Sequence, residues 1–395
     1  MKLFFSYSIL SFFLLLLPTG QASANNNDSI RLSLLTCAPG EEIYSLFGHT
    51  AIRYENSSQG IDVVFNYGLF SFNTPNFIFR FSLGETDYQL GATDYERFAA
   101  EYAFFGRSVW QQTLNLTDEE KTELIRLLQE NYRPENRVYR YNFFYDNCAT
   151  RPRDKIEESI AGKVIYPAEP QDGSLTFRDI VHQYCKGHPW ARFGIDLCIG
   201  SEADQPITQR QMMFAPFYLM DAFDGAQIKG DSIQRPLITA NELIVDATPE
   251  PDESDWMPTP LQCSLLLFIL TAAATIYGIR RRTGLWGIDL FLFGIAGIVG
   301  CVLAFLALFS QHPAVSSNFL LLVFHPGQLL FLPYIIYCVR KGKKCWYLTL
   351  NLAVLTLFIV LFPVIPQRFD FAVVPLALVL LIRSASNLIV TSKKK

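Results

Sequence analysis

Five apolar stretches follow Pro260 and decide how the second half of this 395-residue chain can fold. They run over 261–279, 286–309, 319–339, 346–365 and 371–390. Each is close to the ~20 residues a helix needs to cross the hydrocarbon of a bilayer. No water reaches backbone N–H and C=O groups there, so a helix, which pairs them internally, is the form open to each stretch. Basic clusters fall after the first, third and fifth: Arg280-Arg281-Arg282, then Arg340-Lys341 with Lys343-Lys344, then Lys393-Lys394-Lys395. The opposite loops, 310–318 and 366–370, are nearly uncharged by comparison. Basic loops stay cytoplasmic, so the spacing predicts five spanning helices with everything before residue 260 outside. Arg383 and Asn387 lie near the end of the fifth stretch, where a long side chain is expected to snorkel to the interface. Asp289 in the second stretch and His325-Pro326-Gly327-Gln328 in the third are polar interruptions. A proline kink with satisfied side chains explains the third more simply than a ligand site does.

The N-terminus agrees with export. Lys2, an apolar run over 3–17, Pro18 and Ala22-Ser23-Ala24 form the three parts of a signal peptide, predicting cleavage after Ala24. An uncleaved signal anchor is the alternative. Residues 25–247 then form one exported domain. Residues 248–260, rich in proline and acid, read as a linker, and 261–392 as the membrane domain. The formal net charge of −4 comes with no basic face, which argues against nucleic acid as a partner.

Four cysteines, Cys37, Cys148, Cys185 and Cys198, lie in the exported part. Cys185 and Cys198 are close enough in sequence to form a disulfide in an oxidising compartment. No Cys/His spacing suggests zinc, and nothing points to a metal or organic cofactor.

Two segments carry chemistry. The first, Phe47-Gly48-His49-Thr50-Ala51-Ile52-Arg53-Tyr54, runs into the turn-forming 55–60 and then a strand over 61–67. Pairing Tyr54 with Ile61 sets Arg53 opposite Asp62 and His49 opposite Asn66, near enough for an amide to fix the imidazole tautomer. The second, Tyr145-Asp146-Asn147-Cys148-Ala149-Thr150-Arg151, reads as a strand end opening a helix. Asp146 or Asn147 caps it, and Cys148 lies in its first turn. There the helix dipole, with Arg151 and Arg153, is expected to favour a thiolate. A His within reach would act as its proton carrier, and the Cys148 N–H would be one oxyanion donor. A buried structural cysteine and an ordinary strand histidine are the plain alternatives.

These segments resemble the circularly permuted relatives of papain-like and NlpC-type cysteine enzymes, in which the His-bearing strand precedes the Cys-bearing helix. More closely, the chain is similar to the Bacteroidetes lipoprotein N-acyltransferase family. Phe47-Gly48-His49-Thr50-Ala51, Phe65-Asn66-Tyr67-Gly68, Asn73-Thr74-Pro75-Asn76-Phe77, Asp146-Asn147-Cys148-Ala149-Thr150-Arg151, Phe193-Gly194-Ile195-Asp196 and the five-helix half carry that likeness. The resemblance implies an α+β, permuted papain-like domain before an all-α membrane domain. It implies catalysis by Cys148, His49 and Asn66, with Tyr67, Asp146, Asn147, Arg151 and His325 contacting substrate. It also implies an acyl chain passing from a membrane phospholipid through a Cys148 thioester to the α-amino group of a diacylglyceryl lipoprotein. A membrane-tethered cysteine peptidase or amidase, and a non-enzymatic envelope sensor or assembly factor, are the competing readings.

Overall fold

The computed structural model describes residues 29–73, 75–167, 175–230, 234–247 and 257–392. The signal peptide, its cleavage site, most of the linker, Thr74 and the terminal lysine cluster fall outside them.

Short alternating runs in the exported part build ten strands. β1 (Ile30–Cys37), β2 (His49–Asn56), β3 (Ile61–Leu69), β4 (Asp87–Asp94), β5 (Val109–Leu114), β6 (Val138–Arg140) and β10 (Ile238–Val245) form one antiparallel sheet in the order β10-β5-β1-β2-β3-β4-β6. β7 (Lys163–Ile165), β8 (Gln227–Lys229) and β9 (Gln234–Pro236) form a small second sheet. Interleaved are α1 (Phe77–Leu83), α2 (Tyr95–Phe104), α3 (Asp118–Tyr132), α4 (Thr150–Ser159), α5 (Phe177–Tyr184), α6 (Pro189–Cys198), α7 (Gln209–Met212) and α8 (Pro216–Asp224). The class is α+β.

Successive strand residues face opposite sides, so the sheet buries two sets of side chains. Leu35, Cys37, Ala51, Val64 and Val109 pack under α2 against Phe98. Leu32, Leu34, Ile52, Tyr67 and Leu90 pack under α3, α4 and α8 against Leu124, Ile156 and Phe223. The second face holds the larger core and positions the helix that follows Cys148.

The expected hairpin forms, but its register differs. Asn56 pairs with Ile61 and Ala51 with Asn66, so the turn is the four residues 57–60, closed by Gly60 at φ +63°. The slip from the expected pairing is two residues, one full pleat period, so each side chain keeps its face. His49 and Asn66 become diagonal rather than opposed, as do Arg53 and Asp62, which still pair through two contacts of 2.9 and 2.7 Å.

The membrane half contains α9 (Pro260–Arg281), α10 (Trp286–Phe309), α11 (Pro326–Leu330), α12 (Leu332–Lys341), α13 (Trp346–Leu361) and α14 (Val373–Ser392). α9, α10 and α14 are each long and apolar enough to cross a membrane. The third stretch is broken: a single turn over Phe319–Leu322 leads into α11 and α12, with a 74° bend. α13 is a shorter apolar helix. Thr259 and Gln262 form a capping box around Pro260, a strong start signal for α9.

Backbone freed at the break is covered by close approach. A methyl group on Gly300 of α10 would lie 2.4 Å from His325 N, and one on Gly297 2.5 Å from Leu329 N. Gln328 Nε2 donates to the Val323 carbonyl at 2.7 Å, capping the gap. Arg383 does not snorkel. It is buried, donating to Asp289 at 2.7 and 3.0 Å and to Thr275 Oγ1 at 2.9 Å. A counter-charge inside the bundle outweighs the reach to the interface, because both ions keep their hydrogen bonds.

The two halves dock through polar contacts that only the folded chain assembles. Arg178, fully buried, donates to Asp196 at 2.6 Å and Asp204 at 2.8 Å. Arg368, before α14, reaches Asp204 at 2.9 Å and Asp179 at 2.6 Å. The Phe193–Asp196 motif thus supplies the buried anchor of this joint. Gly200 N donates to Ala314 O at 2.6 Å, and a methyl on Gly200 would meet Ser317 O at 2.5 Å. Cys185 and Cys198 are free thiols, so the expected bridge is absent.

Candidate active site

The candidate residues His49 and Asn66 lie where β2 and β3 part. Gly48 precedes β2 at φ +77°, and a side chain there would strike Cys37 O at 2.5 Å, so the approach to His49 requires glycine. His49 opens β2, pairing with Cys37 across β1. Its Nε2 lies 3.2 Å from Asn66 Oδ1. Asn66 Nδ2 donates to the Val64 carbonyl at 3.3 Å, which leaves Oδ1 as the acceptor and assigns the ring proton to Nε2. Nδ1 keeps its lone pair, the form a general base needs.

The β2–β3 pairing ends at Ala51–Asn66. Beyond it β3 turns through Gly68 at φ +90°, and its register with β4 shifts between Asn66 and Leu69. The backbone N–H groups of Thr50 and of Cys148 itself both act on the Cys148 sulfur and favour its thiolate. A methyl on Gly68 would sit 3.5 Å from Cys148 Cβ and 4.0 Å from both Tyr139 Oη and Tyr141 Cε2. Gly68 thus sits within contact range of Cys148 and of two tyrosines.

Local sequence builds the Cys148 turn residue by residue. Asn147 Oδ1 accepts from the N–H groups of Ala149 at 2.8 Å and Thr150 at 2.9 Å, making Asn147 the cap and Cys148 the first residue of the helical turn. Asn147 Nδ2 donates to Phe143 O at 2.8 Å and Phe214 O at 2.9 Å, so this side chain is committed to holding the turn. Thr150 Oγ1 accepts from Asn147 N at 2.8 Å. Asp146 grips Arg151 with contacts of 2.6 and 2.8 Å, and the Arg151 guanidinium lies 3.6 Å over the Tyr139 ring.

Burial governs the electrostatics. It pushes the Cys148 thiol up to about 11, against the two N–H groups that favour the thiolate. Burial thus runs against the resting thiolate that the sequence leads one to expect. Arg151 is neutralised by Asp146 and Arg153 by Asp154 at 2.8 Å, so neither offers the sulfur a free positive charge. Burial also holds His49 down to about 4, with the Asn66 contact opposing and Arg107 adding to the fall. At neutral pH both groups are therefore neutral, a thiol and an imidazole.

Three buried hydroxyls near this end have no hydrogen-bond partner among the described residues: Thr36 Oγ1, Thr50 Oγ1 and Tyr139 Oη. Thr36 and Thr50 pair across β1 and β2. Such orphaned hydroxyls are unusual, since buried polar groups are nearly always paired. Burial raises Tyr139 far above the ordinary phenol range, keeping it a donor.

Of the other expected residues, Tyr67 points into the core with its hydroxyl donating to Asn131 Oδ1 at 2.7 Å. His325 lies in the membrane half at the helix break, 3.3 Å from Asn351 Oδ1. Tyr139 and Gly68 were not singled out from sequence. The Tyr139-Arg140-Tyr141 alternation upstream of Cys148 was the available signal. No cluster of His, Cys, Asp and Glu able to hold a metal occurs among the described residues.

Residues 20–182 match the family model for the Lnb N-terminal periplasmic domain, and residues 252–395 match that for the Lnb transmembrane domain. The chain belongs to the Lnb family of lipoprotein N-acyltransferases. Neither the curated proteins nor the solved structures contain a match. As an Lnb protein it is a multi-pass membrane protein of the cell envelope whose N-terminal domain is periplasmic. His49, Asn66 and Cys148 all fall in the Lnb periplasmic domain, and His325 in the Lnb transmembrane domain.

Proposed function

We propose that this protein moves an acyl chain from a membrane phospholipid to the α-amino group of a diacylglyceryl lipoprotein, through a thioester on Cys148. The supporting observation is that the strand bearing His49 presents the Thr50 N–H to the Cys148 sulfur, with Asn66 leaving His49 Nδ1 free. In the first half-reaction His49 takes the thiol proton as sulfur attacks the ester carbonyl. The Cys148 N–H and the Tyr139 hydroxyl stabilise the oxyanion. Collapse breaks the ester C–O bond, His49 returns the proton to the departing glycerol oxygen, and lysophospholipid leaves. In the second, the amine attacks the thioester carbonyl and His49 takes its proton. The C–S bond breaks, Thr50 N–H receives the thiolate charge, and the proton returns to sulfur as the amide forms. Asp146, Asn147 and Arg151 position these groups rather than contacting substrate.

The reading also takes residues 1–24 as a signal peptide, 25–247 as the exported catalytic domain and 261–392 as the membrane domain. The basic clusters beside α9, α12 and α14 face the cytoplasm, which sets the site on the outer side. A phospholipid and a lipoprotein share the bilayer, so a site at its surface gains from their high effective concentration.

The deciding experiment supplies the purified protein with phospholipid alone, without acceptor. A fatty-acyl thioester on Cys148, seen by intact-protein mass spectrometry and removed by neutral hydroxylamine, is the expected result. A peptidase or amidase would accumulate none, and that outcome would overturn the acyl-transfer reading. Tyr139→Phe, which removes only the orphaned hydroxyl, is expected to lower kcat for thioester formation by about 10²-fold with little change in KM. An unchanged kcat would remove Tyr139 from the mechanism.

A further inference from the structure

α1 is the least covered helix of the periplasmic domain. Its sequence, Phe-Ile-Phe-Arg-Phe-Ser-Leu, has no buried residue, and Ile78 and Phe79 are 80% and 58% exposed. The one charge, Arg80, is turned back onto Asp87 at 2.6 Å and the Glu85 carbonyl at 3.0 Å. A helix so apolar and so exposed is costly in water and suited to a lipid surface.

Its position fits that surface. Leu83 O accepts from Gln311 N at 2.8 Å, His312 Nε2 lies 2.5 Å from Phe81 O, and a methyl on Gly84 would be 2.9 Å from His312 N. These bonds pin α1 to the loop leaving α10. Phe79 packs on Phe305 with ring centroids 5.8 Å apart, one turn before α10 ends at Phe309. Val302, Leu308 and Phe309 beside that contact face outward. α1 therefore lies at the level where a spanning helix leaves the hydrocarbon.

From α1 an unbroken series of aromatic rings leads to the nucleophile. Phe81 stacks on Phe77 at 6.0 Å and Phe77 on Phe70 at 5.8 Å. Phe72, 64% exposed, borders both Phe70 and Phe77, at 4.9 and 5.1 Å. Phe70 meets Tyr88 at 5.0 Å; Tyr88 is buried and stacks on Tyr141 at 4.2 Å, within the core beside Gly68 and Cys148.

We infer that α1 is seated in the outer leaflet and that the ridge from Phe81 to Phe70 is an acyl-chain track, along which a lipid tail lies while its ester reaches Cys148. The delivery role rests on the acyl-transfer reading; lipid occupancy of the ridge does not.

The test uses the full-length protein in phospholipid bilayer nanodiscs. A photo-crosslinking phenylalanine analogue is placed at Ile78, at Phe72 and, as control, at Arg126 on α3. Lipid adducts are expected at 78 and 72 and not at 126. Adducts no more frequent at 78 and 72 than at 126 would overturn the inference. Ile78→Glu and Phe72→Glu change exposed positions, so the fold is spared. Both are expected to slow Cys148 acylation from bilayer phospholipid by at least about tenfold, and to leave acylation by water-soluble p-nitrophenyl acetate unchanged. Equal losses with both donors would overturn the track. Failure of the acyl-transfer reading looks different: wild-type Cys148 takes no acyl group from phospholipid, while lipid adducts still form at 72 and 78.

Discussion

Replacing Cys148 with alanine is expected to abolish N-acylation in cells, leaving lipoprotein N-terminal peptides diacylated by mass spectrometry while the protein stays in the membrane at its normal level. The sulfur is the atom the site is arranged around, and loss of a covalent nucleophile costs on the order of 10⁴–10⁶ in kcat. The fold should tolerate the change. Asn147, not Cys148, caps the turn through its contacts to Ala149 and Thr150, and the side chain removed is only half-buried. Cys148→Ser separates nucleophilicity from shape, because a hydroxyl in the same place lacks the polarisable sulfur and is much harder to deprotonate. Persisting triacylation in either variant, with no other acyltransferase in the cell, would sink the catalytic assignment.

His49→Gln is expected to cost about 10³–10⁴ in kcat, close to the loss of the nucleophile's function, because neither partner carries charge at rest. With the thiol pushed up to about 11, only a small fraction is thiolate at pH 7, and the proton must go to His49 as the bond forms. Glutamine keeps a hydrogen-bonding amide near Asn66 but has no basic nitrogen. The pH behaviour separates this from a resting ion pair. His49, held down to about 4, stays neutral above that pH, so Cys148 acylation from phospholipid should persist through pH 5 and fall only as pH approaches 4 from above. Alkylation of Cys148 by iodoacetamide without substrate should be slow at pH 7 and climb towards pH 11. A fast rate that levels off below pH 7 would show a preformed thiolate and refute this arrangement.

What could be read from sequence was what depends on local pattern. Hydropathy marked the apolar helices of the second half, including the polar break at His325, because the bilayer imposes length and apolarity on each piece of chain separately. Asn147 was readable as a cap because helix starts are written in adjacent residues. The His49–Asn66 contact was anticipated through a wrong register, and it survived because a slip of two preserves the face. Elements that depend on distant chain were not readable. The Arg383–Asp289 pair joins two helices 94 positions apart, so a rule for isolated helix ends misjudged it. The thiol's electrostatics went the same way: counting nearby arginines missed that Asp146 and Asp154 had already claimed them. Tyr139 needed Gly68 and Cys148 beside it before its hydroxyl could be placed, and α1 needed the end of α10.

Gly84 and Gly200 have a further consequence. Both sit at joints between the halves where a single methyl group would collide with the 310–318 loop, and together they clamp its two ends. A pivot needs slack, and these joints have none. On the acyl-transfer reading, donor and acceptor come one after the other by lateral diffusion to a site held in fixed relation to the membrane half, a search in two dimensions.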